Sequence, residues 1–499
     1  MTDDTGAVAP TGQGSRRERL LLGLGAAALT LPTVRTSGFC LDDAFIHLAY
    51  VSSIHAGDGI SYNPGDWETG ISSPLWLALL ALWPTGAPTI FGIKAFGALL
   101  HVAGVMLIAA LARACDPEAP PRFSLAAGLL WAATPLAVQG ATSGMEVPLA
   151  SALALGVTVA ALRARWKLAF VLALLGYLAR PELLVYAAAL SAGLLWLRRD
   201  PRALLLLAGA GAGTLVFWAY CYSVSGHLWP NTYYVKGGGL HLGSLAYLVR
   251  SVLAPQPVVL SVAGVVIAGL GAYAAWRGKR HALLVLVGTA LVTLLAIALS
   301  RTLHPGVRFF QSRYFVVTLW ALPLLCAYGF ARMPRAPAWA LMAPVAALSL
   351  YLTYQQIQLQ HAQERGVHRL HVEPAAYIAR RVPDARVVGV EGAGALRYLL
   401  PRSIEVVDLM GLNDRAIAHM GGQFFRKLCH LKARGVTHLA YPAQWRDNVH
   451  KAFELETLER FTEHAYAQVD PPVPWQLTVA RVVRPKDDFA AYCAKRGLQ

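Results

Sequence analysis

Charged residues are scarce in this sequence. Asp, Glu, Lys and Arg make up 14% of its 499 residues, where soluble domains carry about a quarter. With 56% hydrophobic residues, that balance reads as a polytopic membrane protein with a soluble part attached. Acidic residues are scarcest: 28 against 44 Lys and Arg, a net charge of +16. The six cysteines (Cys40, Cys115, Cys221, Cys326, Cys429 and Cys493) are scattered without metal-type spacing, which excludes a cysteine-built metal site. No internal repeat is visible, which argues against a transporter assembled from repeated halves. A full nucleotide fingerprint is missing too. "EGAGAL" carries G-x-G without the third glycine and reads as a tight strand-to-helix turn.

Apolar runs of spanning length, or slightly under it, are present at 20–34, 89–112, 123–140, 145–162, 168–180, 182–197, 203–224, 256–275, 282–300, 314–331 and 337–354. A span needs about 20 apolar residues, so about eleven transmembrane helices are expected. The first run follows "RRER" like a signal peptide, but no A-x-A site follows, and an uncleaved anchor is expected. If the spans alternate, "SRRERL", "RACDPEAPPR", "RARWK", "LRRDPR", "WRGKRH" and "RMPRAP" share one side, with 16 Lys or Arg against 4 acids. The positive-inside rule makes that side cytoplasmic. Much of the net charge is then topological, and nucleic acid is not an expected partner. The bilayer is.

The opposite, extracytoplasmic side receives nearly every unusual polar cluster. Residues 1–18 are expected to be a disordered cytoplasmic N-terminus. Residues 19–355 form the transmembrane domain, with an extracytoplasmic loop at 35–75. Residues 356–499 have soluble composition: "ARVVGV", "SIEVVDL", "GVTHLAY" and "WQLTVARVV" alternate with helical stretches such as "EPAAYIARRV", which predicts a small extracytoplasmic α/β domain. Cys429 and Cys493 both fall in it. They pair if that compartment is oxidising, or are free and buried.

Asp42 and Asp43 stand in "CLDDAFIHLAY", directly after the first apolar run. A helix starting there puts Asp43, His47 and Tyr50 on one face, with Phe45, Leu48 and Ala49 on another, so it could lie along the membrane surface. An N-cap explains one Asp. It does not explain a carboxylate pair abutting a span, where ionisable groups are functional by default. Trp67, Trp76 and Trp83 read as interfacial anchors. Glu68 is either an acceptor-binding carboxylate or a solvated loop charge. Glu146 sits at the mouth of a span. Arg180 and Glu182 pair with each other or face a ligand. Asn231, Tyr233 and Lys236 come from "WPNTYYVKG", and His304, Arg308 and Arg313 from "HPGVRFFQSRY". Cations on the outer face break the positive-inside pattern and point to an anion such as a phosphate.

Together "LDDAFIHLAY…GDGISYNPGDWETGISSPLW", "SGMEVPL", "LARPE", "HLWPNTYYVK" and "EGAGALRYLLPRSIEVVDLMGLND" resemble, in order, motifs of bacterial GT-C glycosyltransferases, in particular mycobacterial-type terminal β-(1→2)-arabinofuranosyltransferases. The resemblance implies an inverting, multi-spanning enzyme at the outer face of the bacterial inner membrane. It would take a polyprenyl-phosphate sugar, with a pentose such as arabinofuranose favoured, and a cell-surface glycan or glycolipid acceptor. It maps the acidic pair onto Asp42 as general base and Asp43 as its helper, orienting the acceptor or holding a divalent cation such as Mg2+. Lys236, Arg308, Arg313 and Arg180 become the donor-phosphate cations, and His47, Tyr50, Glu68, Glu146, Asn231, Tyr233 and His304 the substrate contacts. A protein O-glycosyltransferase of the same superfamily and a lipid-linked sugar transporter are the rivals.

Overall fold

The computed structural model describes residues 14–83, 89–237, 239–246, 268–301, 312–468 and 472–497. Among the described residues the chain is mainly helical up to Arg381, and a five-stranded sheet follows. Among the described residues, five helices are long and apolar enough to cross a membrane: Ile90–Cys115, Pro201–Ser225, His281–Leu299, Arg313–Arg332 and the membrane part of Ala336–Arg381. A sixth span is counted if Arg122–Ala132 and Pro135–Thr142, bent by 59° at their break, are taken together. Pro135 begins the second piece, where its missing N–H costs nothing.

The described residues do not confirm the expected count of about eleven spans. Much of the run at 256–275 lies outside them. The runs at 145–162, 168–180 and 182–197 form apolar helices Val147–Leu162, Trp166–Ala179 and Leu183–Arg198 of only 16, 14 and 16 residues. Apolarity is legible in a sequence, but span length depends on where a helix stops. Each has one end at an ionisable residue that the protein covers, so protein and not lipid surrounds that end. Glu146 precedes the first, Arg180 follows the second and Glu182 precedes the third.

The helix Arg335–Val367 runs through a π turn at His368–Val372 into Glu373–Arg381. This 46-residue rod from Ala336 to Arg381 is about 69 Å long at 1.5 Å per residue. It crosses the boundary drawn at residue 356 without a break. The first loop forms a two-stranded hairpin, β1 (Ser61–Asn63) and β2 (Asp66–Trp67). In the tail, β3 (Val387–Val390) pairs in parallel with β4 (Glu405–Asp408) and β5 (His438–Pro442). β7 (Val473–Pro485) adds antiparallel to β5, and β6 (Phe453–Tyr466) closes the sheet order β4-β3-β5-β7-β6.

The tail is docked on the helical part. Val388, Val390, Leu396, Leu477 and Val479 belong to the same buried apolar cluster as the helices around Trp131 and Trp320. The sheet's other core holds Val407, Leu428, Leu439, Phe453 and Phe489. Cys429 and Cys493 are disulfide-bonded in that second core, 64 residues apart. Closing such a loop stabilises by about 4 kcal/mol in the chain-entropy account. Non-reducing peptide mass spectrometry should recover the two cysteines as one linked species, and Cys429→Ser should lower the melting temperature of the sheet domain. Two free thiols in the purified protein would refute the pairing.

Candidate active site

The helix Asp43–His55 does not lie on a surface: Ala44 through Val51 are all buried. It is wedged between the apolar helices and the tail, so its faces point to different partners. Asp43 and His47 open into a cavity of about 360 Å³. Asp42 and Tyr50 do not, and instead hold the tail.

Both carboxylate oxygens of Asp42 accept backbone N–H bonds, Oδ2 from Gly394 and Oδ1 from Ala395, each at 2.8 Å. The backbones approach so closely that a Cβ at Gly394 would lie 2.0 Å from the Asp42 carbonyl oxygen. That contact, not a phosphate, explains the second glycine of "EGAGAL". Tyr50 donates to Asn413 Oδ1 at 3.1 Å, and Tyr62 to the Ala393 carbonyl at 2.6 Å. Asn63 pairs with both backbone groups of Val406.

Glu68, buried at 3% exposure, accepts from Asn231 Nδ2 at 2.9 Å and from Arg415 Nε at 3.3 Å. Burial pushes its carboxyl above the ordinary value, and the bonds from Asn231 and Arg415 oppose that. Tyr50, Glu68 and Asn231 thus join the first loop, the 226–237 segment and the tail, and none of them lines the cavity. Trp76 is buried too, donating to the Gly144 carbonyl and stacking on Phe96, so it is a core residue and not an interfacial anchor.

The cavity brings together Asp43, His47, Glu146, Arg180, Tyr233, Lys236 and Arg313, along with Glu182, Arg301 and Tyr314. His304 and Arg308 lie outside the described residues. Asp43 Oδ2 receives Arg313 at 2.6 Å and Lys236 at 3.3 Å. No hydrogen bond reaches its Oδ1 from the described residues. Burial alone would raise the Asp43 carboxyl, but the Lys236 and Arg313 charges hold it well below the usual carboxylate range.

Arg180 contacts Glu146 at 3.3 Å and Glu182 at 3.4 Å, and Glu182 also binds Arg301. The Tyr314 ring gathers the guanidinium carbons of Arg301, Arg180 and Arg313 at 3.9, 5.0 and 5.2 Å. Neither ring nitrogen of His47 has a hydrogen-bond partner among the described residues, and nor does Oε2 of Glu146. Burial pushes the His47 imidazole below its ordinary value, so it offers one donor and one acceptor as a neutral ring. Much of the remaining wall is apolar, from Tyr177, Leu184, Val185, Ala296 and Ile297, and the tail contributes Leu412.

Arg301 and Tyr314 escape a reading of the motifs. Arg301 carries the same signal as the others, a cation at the outer end of an apolar run. Tyr314 carries none. No three metal-ligating side chains come together among the described residues.

The fold is similar to those of known structures. ArnT from Cupriavidus metallidurans, solved with undecaprenyl phosphate, superposes with a TM-score of 0.61 at 15% identity, over 93% of this chain and 98% of that one. The archaeal oligosaccharyltransferase AglB from Archaeoglobus fulgidus, solved with an inhibitory peptide and a dolichol-phosphate, gives 0.56 at 11%, over 88% and 72%. The arabinofuranosyltransferase AftD from Mycobacteria gives 0.53 at 16%, over 93% of this chain and 40% of that one. The chain has the GT-C fold. A domain of unknown function (DUF8728) matches residues 353–476, from the long helix into the sheet. No curated protein matches the sequence.

Proposed function

We propose that this GT-C chain transfers a sugar from a polyprenyl-phosphate donor to a cell-envelope glycan or glycolipid at the outer face of the bacterial inner membrane, inverting, with Asp43 as general base. An arabinofuranosyl donor is the first to test. The observation that carries this reading is the cavity in which four cations (Arg180, Lys236, Arg301, Arg313) face three carboxylates (Asp43, Glu146, Glu182). Among the described residues the lining cations are at least as many as the carboxylates, which suits an anionic phosphodiester donor. The apolar wall between the short helices suits the lipid.

Asp43 takes the base role in place of Asp42 because no hydrogen bond from the described residues reaches its Oδ1, while both oxygens of Asp42 are occupied. In the step, the acceptor oxygen bonds to the anomeric carbon and its proton passes to Asp43. The bond from that carbon to the phosphate oxygen breaks, with its electrons, on the opposite side. A hydroxyl is a weak nucleophile until a base takes its proton. Lys236 and Arg313 stabilise the charge that builds on the departing phosphate. As they turn to it, Asp43 loses its two suppressing charges and becomes more basic when the proton must move. His47 and Glu146 offer unpaired polar atoms to sugar hydroxyls. The described residues do not fit a Mg2+ site, since Asp43 already faces two cations, and no step is routed through a metal.

The direct test is purified protein with synthetic short-chain polyprenyl-phosphate sugars and an acceptor panel, scored by a new glycosidic bond. No bond with any pair, while the protein binds polyprenyl phosphate, would refute transfer. Two expectations follow from this reading. The base must be deprotonated, so the rate should fall only when pH drops below the suppressed Asp43 value. Lys236→Met removes one suppressing charge, raises that value and should shift the acid limb of the pH–rate profile upward. An unmoved limb would mean another group is the base. For orientation, reporters fused after residues 60, 165, 240, 278 and 360 should report out, in, out, in, out. A cytoplasmic signal at 360 is incompatible with an outer-face site.

A further inference from the structure

The segment 226–237 carries a run of rings that no catalytic role absorbs. Trp229 stacks on Tyr233 with centroids 4.8 Å apart and planes at 19°. Tyr233 meets Tyr234 edge-on at 5.5 Å. Tyr234 then meets His419, from the tail, at 4.2 Å, and His419 meets His227 at 4.3 Å. Trp229 and Tyr233 line the cavity, whereas His227 and His419 are exposed. The run therefore begins at Asp43's cavity and ends on the outer surface, with its walls drawn from two parts of the chain.

We propose that this ladder is the acceptor subsite, and that it holds an extended, uncharged glycan chain whose terminal hydroxyl reaches Asp43. The proposal rests on the transferase reading above and deepens it. Continuity with the cavity selects the occupant. Something large must pass over five rings and still deliver one hydroxyl inside. The rings are amphipathic, with an apolar face and a polar edge, which complements a sugar that shows C–H groups on one face and hydroxyls around its rim. None of the five is charged by nature like Lys or Arg, and burial together with His227 pushes the His419 imidazole below its ordinary value, so the rings themselves give an anionic chain no fixed counter-charge. An interfacial aromatic belt would account for Trp229 and Tyr233. It would not account for His419, which reaches the same stack from the sheet domain.

The test uses the full chain in detergent, in an Asp43→Asn background so that nothing turns over. Disaccharides and hexasaccharides of arabinofuranose, mannose and glucose are the probes, read by saturation-transfer difference NMR from aromatic protons and by titration. In at least one series the hexasaccharide should bind at least about tenfold tighter than the disaccharide, roughly 1.4 kcal/mol. Tyr234→Ala and His419→Ala should erase that advantage, while Tyr234→Phe, which keeps the ring, should retain it. No length advantage in any series, or an advantage that survives both alanines, overturns the proposal. Glycan binding at the ladder together with a failure of every polyprenyl-phosphate sugar to react would leave the ladder standing and remove the transfer reading.

Discussion

Asp43→Asn should cut transfer by about 10²–10⁴-fold, the loss expected when a general base is removed, while the protein still inserts and still binds its donor. Donor affinity should hold or rise, because Lys236 and Arg313 lose the carboxylate that competes with phosphate for them. Asp42→Asn should behave differently. An amide can accept one of the two N–H bonds now made by Gly394 and Ala395, but its NH₂ would oppose the other donor. Charge-assisted bonds of this kind contribute about 1.5–3 kcal/mol each, so the melting temperature should fall and the tail should become easier to cleave. The two single variants, each scored for single-turnover rate and for melting temperature, separate the roles. A large rate loss at Asp42 without loss of stability, beside a near-normal Asp43→Asn, would reverse the assignment.

The distinction between the two aspartates is already present in helical periodicity. Successive residues on a helix point about 100° apart, and Asp43 shares its face with His47 four residues on. Both line the cavity. The same reasoning places Tyr50 on that face and fails there, because the first loop folds over the end of the helix and Asn413 claims the hydroxyl. No periodicity anticipates a partner 363 residues away.

The expected side of the polar clusters rests on a count of basic residues across many connections, which tolerates error in any one, and the reporter fusions test it. The cavity's cations are legible for a related reason: Arg180, Lys236 and Arg313 violate that count locally. Tyr314 is not, since an aromatic next to an arginine is ordinary at a membrane edge, and only the fold shows three guanidinium groups around one ring. In the tail, β3, β4, β5 and β7 match β-branched runs. β6 does not. "FELETLERFTEHAY" is rich in the helix formers Glu, Leu and Arg, and it is a strand because β7 offers it a long antiparallel partner. Strand preference yields to such pairing readily.

Arg313→Ala and Lys236→Ala should each lower the single-turnover rate from a short-chain polyprenyl-phosphate sugar by at least about tenfold, near 1.4 kcal/mol of transition-state stabilisation. Both side chains already converge on Asp43 Oδ2 from different elements, a short helix at Asn231–Lys236 and a 3-10 turn at Arg313–Phe315. Turning from Asp43 to the phosphate as the donor binds, they would place a positive field beside the bond that breaks. The diester carries one negative charge and the departing phosphate monoester up to two, so the cations matter more as the bond lengthens. Losses should then fall on turnover more than on donor affinity. The two residues should differ in kind. Arg313 offers a planar fork of donors and Lys236 a point charge, so Arg313→Lys should recover only part of the loss, while Lys236→Arg should be tolerated wherever the larger head group fits. Arg180 and Arg301 are engaged by Glu146 and Glu182, and removing either should disturb the cavity's charge balance with a smaller direct effect on the rate. Lys279→Asn, at the opposite end of the spans, is the control and should leave the rate unchanged. If the control falls as far as Arg313→Ala, or Arg313→Ala matches the wild type, the phosphate does not bind between Lys236 and Arg313.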